Sequence, residues 1–312
     1  MTMPVMETGP GGRFGAAAAD PAFEVAPLSP RQVMLRRARG HVGLIFGATV
    51  LGLVTLVAIF APYLAPADPY AQELSKRLIE PVWGAHGTWQ HVFGTDGYGR
   101  DYLSRMIYGA RISLTIGFFA ALTSGIIGSA LGLTGGYFGG WIDSVVVYLI
   151  NVKLALPIIL VALALSTVIG GSTLSLILIL GFLSWDRFAV VTRSLAQQLR
   201  SSEFIAAARA AGAGQGRIIF RELLPNVLNQ VIVVASLDMA LDIAIAAVLS
   251  FLGLGVRPPN PDWGLMIAEG RAYMFFKPYL IVLPGLALFV LLVAINMLGD
   301  GVRDVTAPEG RS

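Results

Sequence analysis

The sequence predicts an all-α membrane protein with six transmembrane helices and both termini in the cytoplasm. Two observations point to that class. Apolar residues fill 55% of the 312 positions and charged residues only 13%, with a mean hydropathy of +0.72, whereas an ordinary soluble domain carries about 25% charged residues. The apolar residues also come in runs of about 20, the length that crosses ~30 Å of hydrocarbon.

Residues 1–30 are rich in Gly, Ala and Pro without apolar periodicity and read as a disordered cytoplasmic tail. Arg31, Arg36, Arg37 and Arg39 then crowd against an apolar run from Val42 to Leu64. A signal peptide starts with similar charge, but its apolar region is about 7–15 residues long. This run reads as a retained first span. Within the region 31–110 it is followed by a polar stretch, 65–110, in which Lys76, Arg77, Arg100 and Arg105 nearly balance Asp68, Glu73, Glu80, Asp96 and Asp101. That balance suits a periplasmic loop. Five further spans are expected near 112–134, 145–169, 173–193, 227–250 and 279–299, forming a membrane domain over 111–300, and 301–312 reads as a second cytoplasmic tail.

Charge supports this orientation. Six crossings from an inside start place the loop 194–226 in the cytoplasm, where Arg200, Arg209, Arg217 and Arg221 face Glu203 and Glu222. The external loop 251–278 has Arg257, Arg271 and Lys277 against Asp262 and Glu269. With the basic N-terminal segment, the contrast follows the positive-inside rule. The net charge of +3 is spread between apolar runs and not gathered in one patch, so nucleic acid is not an expected partner. Gly128, Gly132 and Gly136 recur every fourth residue, the spacing that lets two helix backbones approach closely in lipid. They form either an ordinary packing seam or one that moves.

Several chemistries are excluded. The three lysines, Lys76, Lys153 and Lys277, follow Ser75, Val152 and Phe276, so none completes the Gly-Lys-Ser/Thr of a phosphate-binding loop. The three histidines, His41, His86 and His91, all precede the second span, which leaves Ser172 without a base and Gly171-Ser172 as a turn. No His-x-x-x-His pair offers a metal site, and the absence of cysteine removes disulfides, thiolate zinc and a cysteine nucleophile. The chain is not expected to be an enzyme or to hold a cofactor.

The stretch Glu203 to Gly212 reads as an alanine-rich helix, with Ser201 or Ser202 to cap it, Glu203 at its positive end and Gly212 and Gly214 to stop it. Its surface is smooth except for a projecting Arg209. A helix lying on lipid would carry more large apolar residues, so docking into a groove of another protein explains it better. Ala206-Ala-Ala-Arg-Ala-Ala-Gly212, followed by Arg217-Ile-Ile-Phe-Arg-Glu-Leu-Leu-Pro225-Asn226, resembles the loop that type I ABC importer permeases insert into their ATPase subunits. Phe93-Gly-Thr-Asp-Gly-Tyr-Gly-Arg-Asp-Tyr-Leu-Ser-Arg105 and Leu249-Ser-Phe-Leu-Gly-Leu-Gly255, continued by Pro258-Pro-Asn-Pro-Asp-Trp-Gly264, narrow the resemblance to the second permease of dipeptide, oligopeptide and nickel importers.

The resemblance, which runs from about 32 to 304, implies the type I importer fold in a bacterial inner membrane. It also implies a homologous permease as partner, two ATP-binding subunits that hold all the ATP, and a periplasmic solute-binding protein. A coupling helix over 203–217 would use Glu203, Ala207, Ala208, Arg209, Gly212, Arg217 and Pro225. The chain departs from the family pattern at Ala206 and Ala246, where the family commonly has glutamate; Glu203 stands one turn before the first. An ion-gradient-driven transporter or channel is the alternative, though neither an inverted repeat nor charges in several spans are evident.

Asp238 and Asp242 share one helical face with Ala246. Each ionised Asp at mid-bilayer costs about 2.5–3.5 kcal/mol, so they should face the bundle or a wet cavity. Two roles stand open for them: lining the pathway, where they would favour a cationic group such as a peptide α-amine, or a polar contact to the partner permease. Lys153, with Asn151, is expected to snorkel to the cytoplasmic face, and Trp185, Asp186, Arg187 and Arg193 to act as interfacial anchors or gate-side contacts. Pro157 should kink its helix. Asp96, Arg100, Asp101, Arg105 and Arg111 form an alternating-sign group that either braces the external loop or receives a binding protein.

Overall fold

The computed structural model describes residues 30–306 and is helical throughout, apart from loops and one isolated bridge between Thr95 and Asp101. The chain opens with α1 (Pro30–Gly40) and α2 (Val42–Ile59), which meet at His41; its Nδ1 accepts the Leu44 N–H at 3.0 Å and caps α2. A four-residue α3 (Ala61–Leu64) leads into an irregular segment that ends at Asp101. The tail expected over 1–30 lies outside the described residues except for Pro30, as does the second tail beyond Thr306.

The second span is longer than expected. Helix α4 (Tyr102–Phe138) runs 37 residues because Asp101 caps it, accepting the Ser104 N–H at 2.8 Å. Arg105 and Arg111 therefore stand on the helix and not in the loop. At its other end Gly139 and Gly140 take φ of +68° and +57°, a conformation that side chains resist, and the chain turns straight into α5 (Gly140–Leu154).

The third span is broken outright. Pro157 has no N–H and keeps Leu156 out of helical geometry. α5 and α6 (Ile158–Ile169) consequently meet at 82°, a sharper break than the expected kink. Helices α7 (Thr173–Leu183) and α8 (Trp185–Leu199) form one span of 27 residues, capped at Ser172. Next come α9 (Glu203–Ala210), α10 (Gln215–Arg217), a π-helical turn at Ile218–Leu223 and α11 (Leu224–Phe251). A proline ring clashes with the carbonyl four residues back. Just before Pro225 the ladder widens, the Leu224 N–H bonding to Ile219 O, so the helix from Gln215 to Phe251 continues through the proline. Finally α12 (Trp263–Gly270) precedes α13 (Tyr279–Thr306). α13 passes the expected end of the last span, so 301–306 is helix. Five helical stretches are long and apolar enough to cross a membrane, six when the bent α5–α6 pair is counted as one span.

The glycine seam packs α4 on α8. A Cβ at Gly128 would strike the Trp185 carbonyl, one at Gly132 the Thr192 hydroxyl, and one at Gly136 the Arg193 carbonyl. At one end of the bundle a core of Tyr102, Leu114, Ile243, Trp263, Met266 and Leu291 joins α4, α11, α12 and α13. Above it, Arg100 Nε donates to Asp96 at 2.6 Å, and Arg100 and Arg105 both donate to Glu269 Oε2, at 3.0 and 2.8 Å. The alternating-sign group thus braces the loop, with Glu269 as a member the sequence did not reveal. Asp101 belongs to the cap and Arg111 is exposed, outside the brace.

Candidate functional site

Two places in the fold bring chemistry-bearing residues together. The first is the link between α8 and α11. Ile205 is fully buried against Leu133, Tyr137, Ala196, Ile218, Leu223 and Val227 and, with half-buried Ala208 on the same cluster, anchors α9. Its outer surface is exposed: Glu203, Phe204, Ala206, Ala207, Arg209 and Ala210. The helix stops at Ala210, and Gly212, at φ +77°, reverses the chain while Ala213 N–H bonds back to Ala208 O at 3.0 Å. The expected single helix over 203–217 is therefore corrected to an eight-residue helix and a turn, with Arg217 and Pro225 belonging to the next helical stretch. Two further expectations change. The Ser201 and Ser202 hydroxyls donate backwards to Gln198 O and Leu199 O and do not cap α9. Arg209 does not simply project; its guanidinium lies over the Tyr137 ring, 5.3 Å from the centroid.

The second place is deep in the bundle, where α4, α5, α8 and α11 meet. Asp238 and Asp242 are fully buried, as their helical face required. Arg187 Nη1 donates to Asp238 Oδ1 at 2.8 Å, and the Ser124 hydroxyl donates to Oδ2 at 3.0 Å. Ser184 Oγ donates to Asp242 Oδ1 at 2.8 Å, while Asp242 Oδ2 is buried with no hydrogen-bond partner. Lys153 pairs with Asp186 on α8 and so does not snorkel. Further along α8, Arg193 grips both oxygens of Asp143, at 2.5 and 2.7 Å, and Gln197 adds a third donor to that carboxylate. These charges are fixed by one another. Among the described residues no group of three or more acidic or histidine side chains could hold a metal ion.

Residues 109–311 match the family described as binding-protein-dependent transport system inner membrane component, and residues 29–81 match the N-terminal transmembrane domain of oligopeptide transport permease C. The chain belongs to this permease family. Its curated relatives include a dipeptide transport system permease protein of Alkalihalophilus pseudofirmus, 37% identical over 94% of each chain. A second, from Haemophilus influenzae, is 35% identical over 93% of this chain and 98% of its own. A glutathione transport system permease protein of Pectobacterium atrosepticum is 37% identical over 90% of this chain and 92% of its own. The inward-facing MetNI methionine ABC transporter shares the fold, with a TM-score of 0.53 at 19% identity over 65% of this chain and 97% of that one.

The permease is thus a multi-pass inner-membrane component of an ATP-binding-cassette importer, and the ion-gradient alternative gives way to that reading. Sequence reasoning missed how its charges meet. Lys153 and Asp186 are 33 residues apart and Arg187 and Asp238 are 51 apart, so only tertiary packing could pair them. The one available signal was the crowding of Trp185, Asp186, Arg187 and Arg193 in a span that lipid alone would not tolerate.

Proposed function

We propose that this permease forms half of the route by which a peptide enters the cell, with α9 as the element on which separate ATPase subunits act. The observation that carries the coupling role is the contrast across α9. Buried Ile205, with half-buried Ala208, ties it to the bundle, and Glu203, Phe204, Ala206, Ala207, Arg209 and Ala210 are left exposed between two spans. Such a surface suits a groove in another protein. In this reading both termini and α9 lie in the cytoplasm, and the segment 65–101 lies outside.

The chain performs no bond chemistry. ATP is bound and hydrolysed by two partner subunits, a homologous permease completes the pathway, and a periplasmic solute-binding protein delivers the solute. Glu203, Ala207, Ala208 and Arg209 form the contact, Gly212 provides the tight return, and Arg217 and Pro225 carry the motion into α11. The widened turn before Pro225 is a natural place for that helix to flex. Peptide as solute follows from the dipeptide permeases among the relatives.

Ala207→Trp tests the coupling. Placed on an exposed position, the indole should leave folding and membrane insertion intact and block docking. ATP-driven uptake should fall at least ~10-fold while the thermal midpoint of the solubilised chain moves by less than ~0.5 kcal/mol equivalent, as for a surface substitution. Normal uptake in this variant, or after removal of 203–212, would end the proposal.

A further inference from the structure

In each of the three ion pairs that link α5, α8 and α11, the base stands outside and the acid behind it. The Arg187 side chain is 40% exposed and that of Asp238 0%; Lys153 is 15% exposed and Asp186 3%; Arg193 is 26% exposed and Asp143 19%. Side-chain length alone would give some such bias. Depth argues for more. Arg187 lies in the first turn of α8, inside the 27-residue span Thr173–Leu199. A charged group facing lipid there is strongly disfavoured. The surface it reaches is therefore wet or covered by protein. Lys153 sits in the last turn of α5, just before the 82° break at Pro157. Asp238 engages only Nη1 of Arg187, and the rest of that guanidinium fork has no hydrogen-bond partner among the described residues.

We propose that Arg187 and Lys153 line the solute route, and that they hold an anionic group of the passing solute, which for a peptide is its C-terminal carboxylate. This reverses the sign expected when Asp238 and Asp242 were the candidate lining residues. Asp238 is instead the buried end that orients Arg187, while Asp242 is held by Ser184, and a planar arginine fork is suited to grip a carboxylate. The peptide part rests on the function proposed above; the positive lining does not.

The chain has no cysteine, so a single Val190→Cys, exposed and one turn from Arg187, reports on that surface. The complete importer would be reconstituted in vesicles and this chain's modification followed by mass. Anionic ethylsulfonate and cationic trimethylammonium methanethiosulfonates should both react, the anionic one favoured, relative to their rates with a free thiol, by up to the ~5–10-fold that an unpaired unit charge ~7 Å away in water gives. The double variant Arg187→Gln/Asp238→Asn, which strands no buried charge, should bring the ratio close to one, and Arg187→Lys should keep it. No reaction with either reagent, or a ratio indifferent to Arg187, overturns the proposal.

Uptake of trialanine against trialaninamide provides the second arm. Native importer should favour the free carboxylate, and the double variant should lose that preference. Charge-selective labelling without ATP-driven uptake of either peptide would remove the peptide reading and leave the positive lining standing. A preference for the carboxylate that survives in the double variant would remove the carboxylate contact.

Discussion

Among the described residues, two clusters of buried charge look alike on paper and differ in construction. In the brace of the loop before α4, Arg100 and Arg105 are as buried as their acids: both arginines are at most 1% exposed, and Asp96 and Glu269 close around them. In the mid-bundle cluster the acids are buried but Arg187 reaches outward, and Asp242 keeps one oxygen without a partner. A closed cluster can only hold elements together. One with an open side can also meet something that moves past it. Taking two charges from water is costly, and their attraction repays it only with good geometry and further hydrogen bonds. The brace, at the junction of the loop, α4 and α12, meets them incompletely, since Arg105 Nε and Nη1 are buried without a hydrogen-bond partner. The inner cluster is incomplete too, at Asp242 Oδ2, so what separates the two is the exposure of the base: Arg187 reaches outward and Arg105 does not.

This difference can be broken by mutation. Arg105→Met in the brace leaves Glu269 and Asp96 with less positive charge in a largely buried site. Removing one partner of a buried pair costs about 3–5 kcal/mol, so the thermal midpoint in detergent should drop sharply. Uptake should fall only in proportion to the folded protein lost. Asp238→Asn in the inner cluster should cost less, about 1–2 kcal/mol, because the half-exposed Arg187 can turn to water and Ser124 can still bond the amide. Uptake per folded molecule should nevertheless fall at least ~10-fold, since Arg187 loses the group that orients it. Equal midpoint losses, or unchanged uptake per molecule in Asp238→Asn, would erase the distinction between the clusters.

How far each cluster could be read from sequence follows from the same physics. The spans were visible because hydrocarbon thickness sets their length, and the inward face of Asp238, Asp242 and Ala246 because helical periodicity and the cost of charge in lipid leave no other choice. The glycine seam was visible as a spacing, but its partner, α8, was not. Pro157 announced a disturbance, yet whether a proline bends a helix or breaks it depends on what packs around it. Lys153 was misjudged because the local explanation, snorkelling, needs no partner, and Asp186 is supplied only by the fold. Glu269 was missed for the same reason, being 164 residues from Arg105. At α9, the smooth composition was legible, while the direction of the Ser201 and Ser202 hydroxyls was decided by the carbonyls left free at the end of α8.

The pair between Lys277 and Glu80 sharpens the comparison at its weak end. Lys277 Nζ donates to Glu80 Oε1 at 2.7 Å, linking the loop before α13 to the same segment that the brace holds. Both side chains stay within reach of water, so most of their attraction is screened. The bond from Lys277, with the His86 N–H as a second donor, holds the Glu80 carboxyl below its ordinary range. Its folded value is depressed, so the stabilisation is present above the carboxylate range and is lost as pH falls through it. Lys277→Met should accordingly produce a small drop in thermal midpoint at neutral pH, far smaller than that of Arg105→Met. The difference from native protein should shrink in acid, and also in ~1 M salt, where the screening length is ~3 Å. A loss as large as that from Arg105→Met, indifferent to pH and salt, would mean that closure against water is not what separates a strong charge cluster from a weak one in this permease.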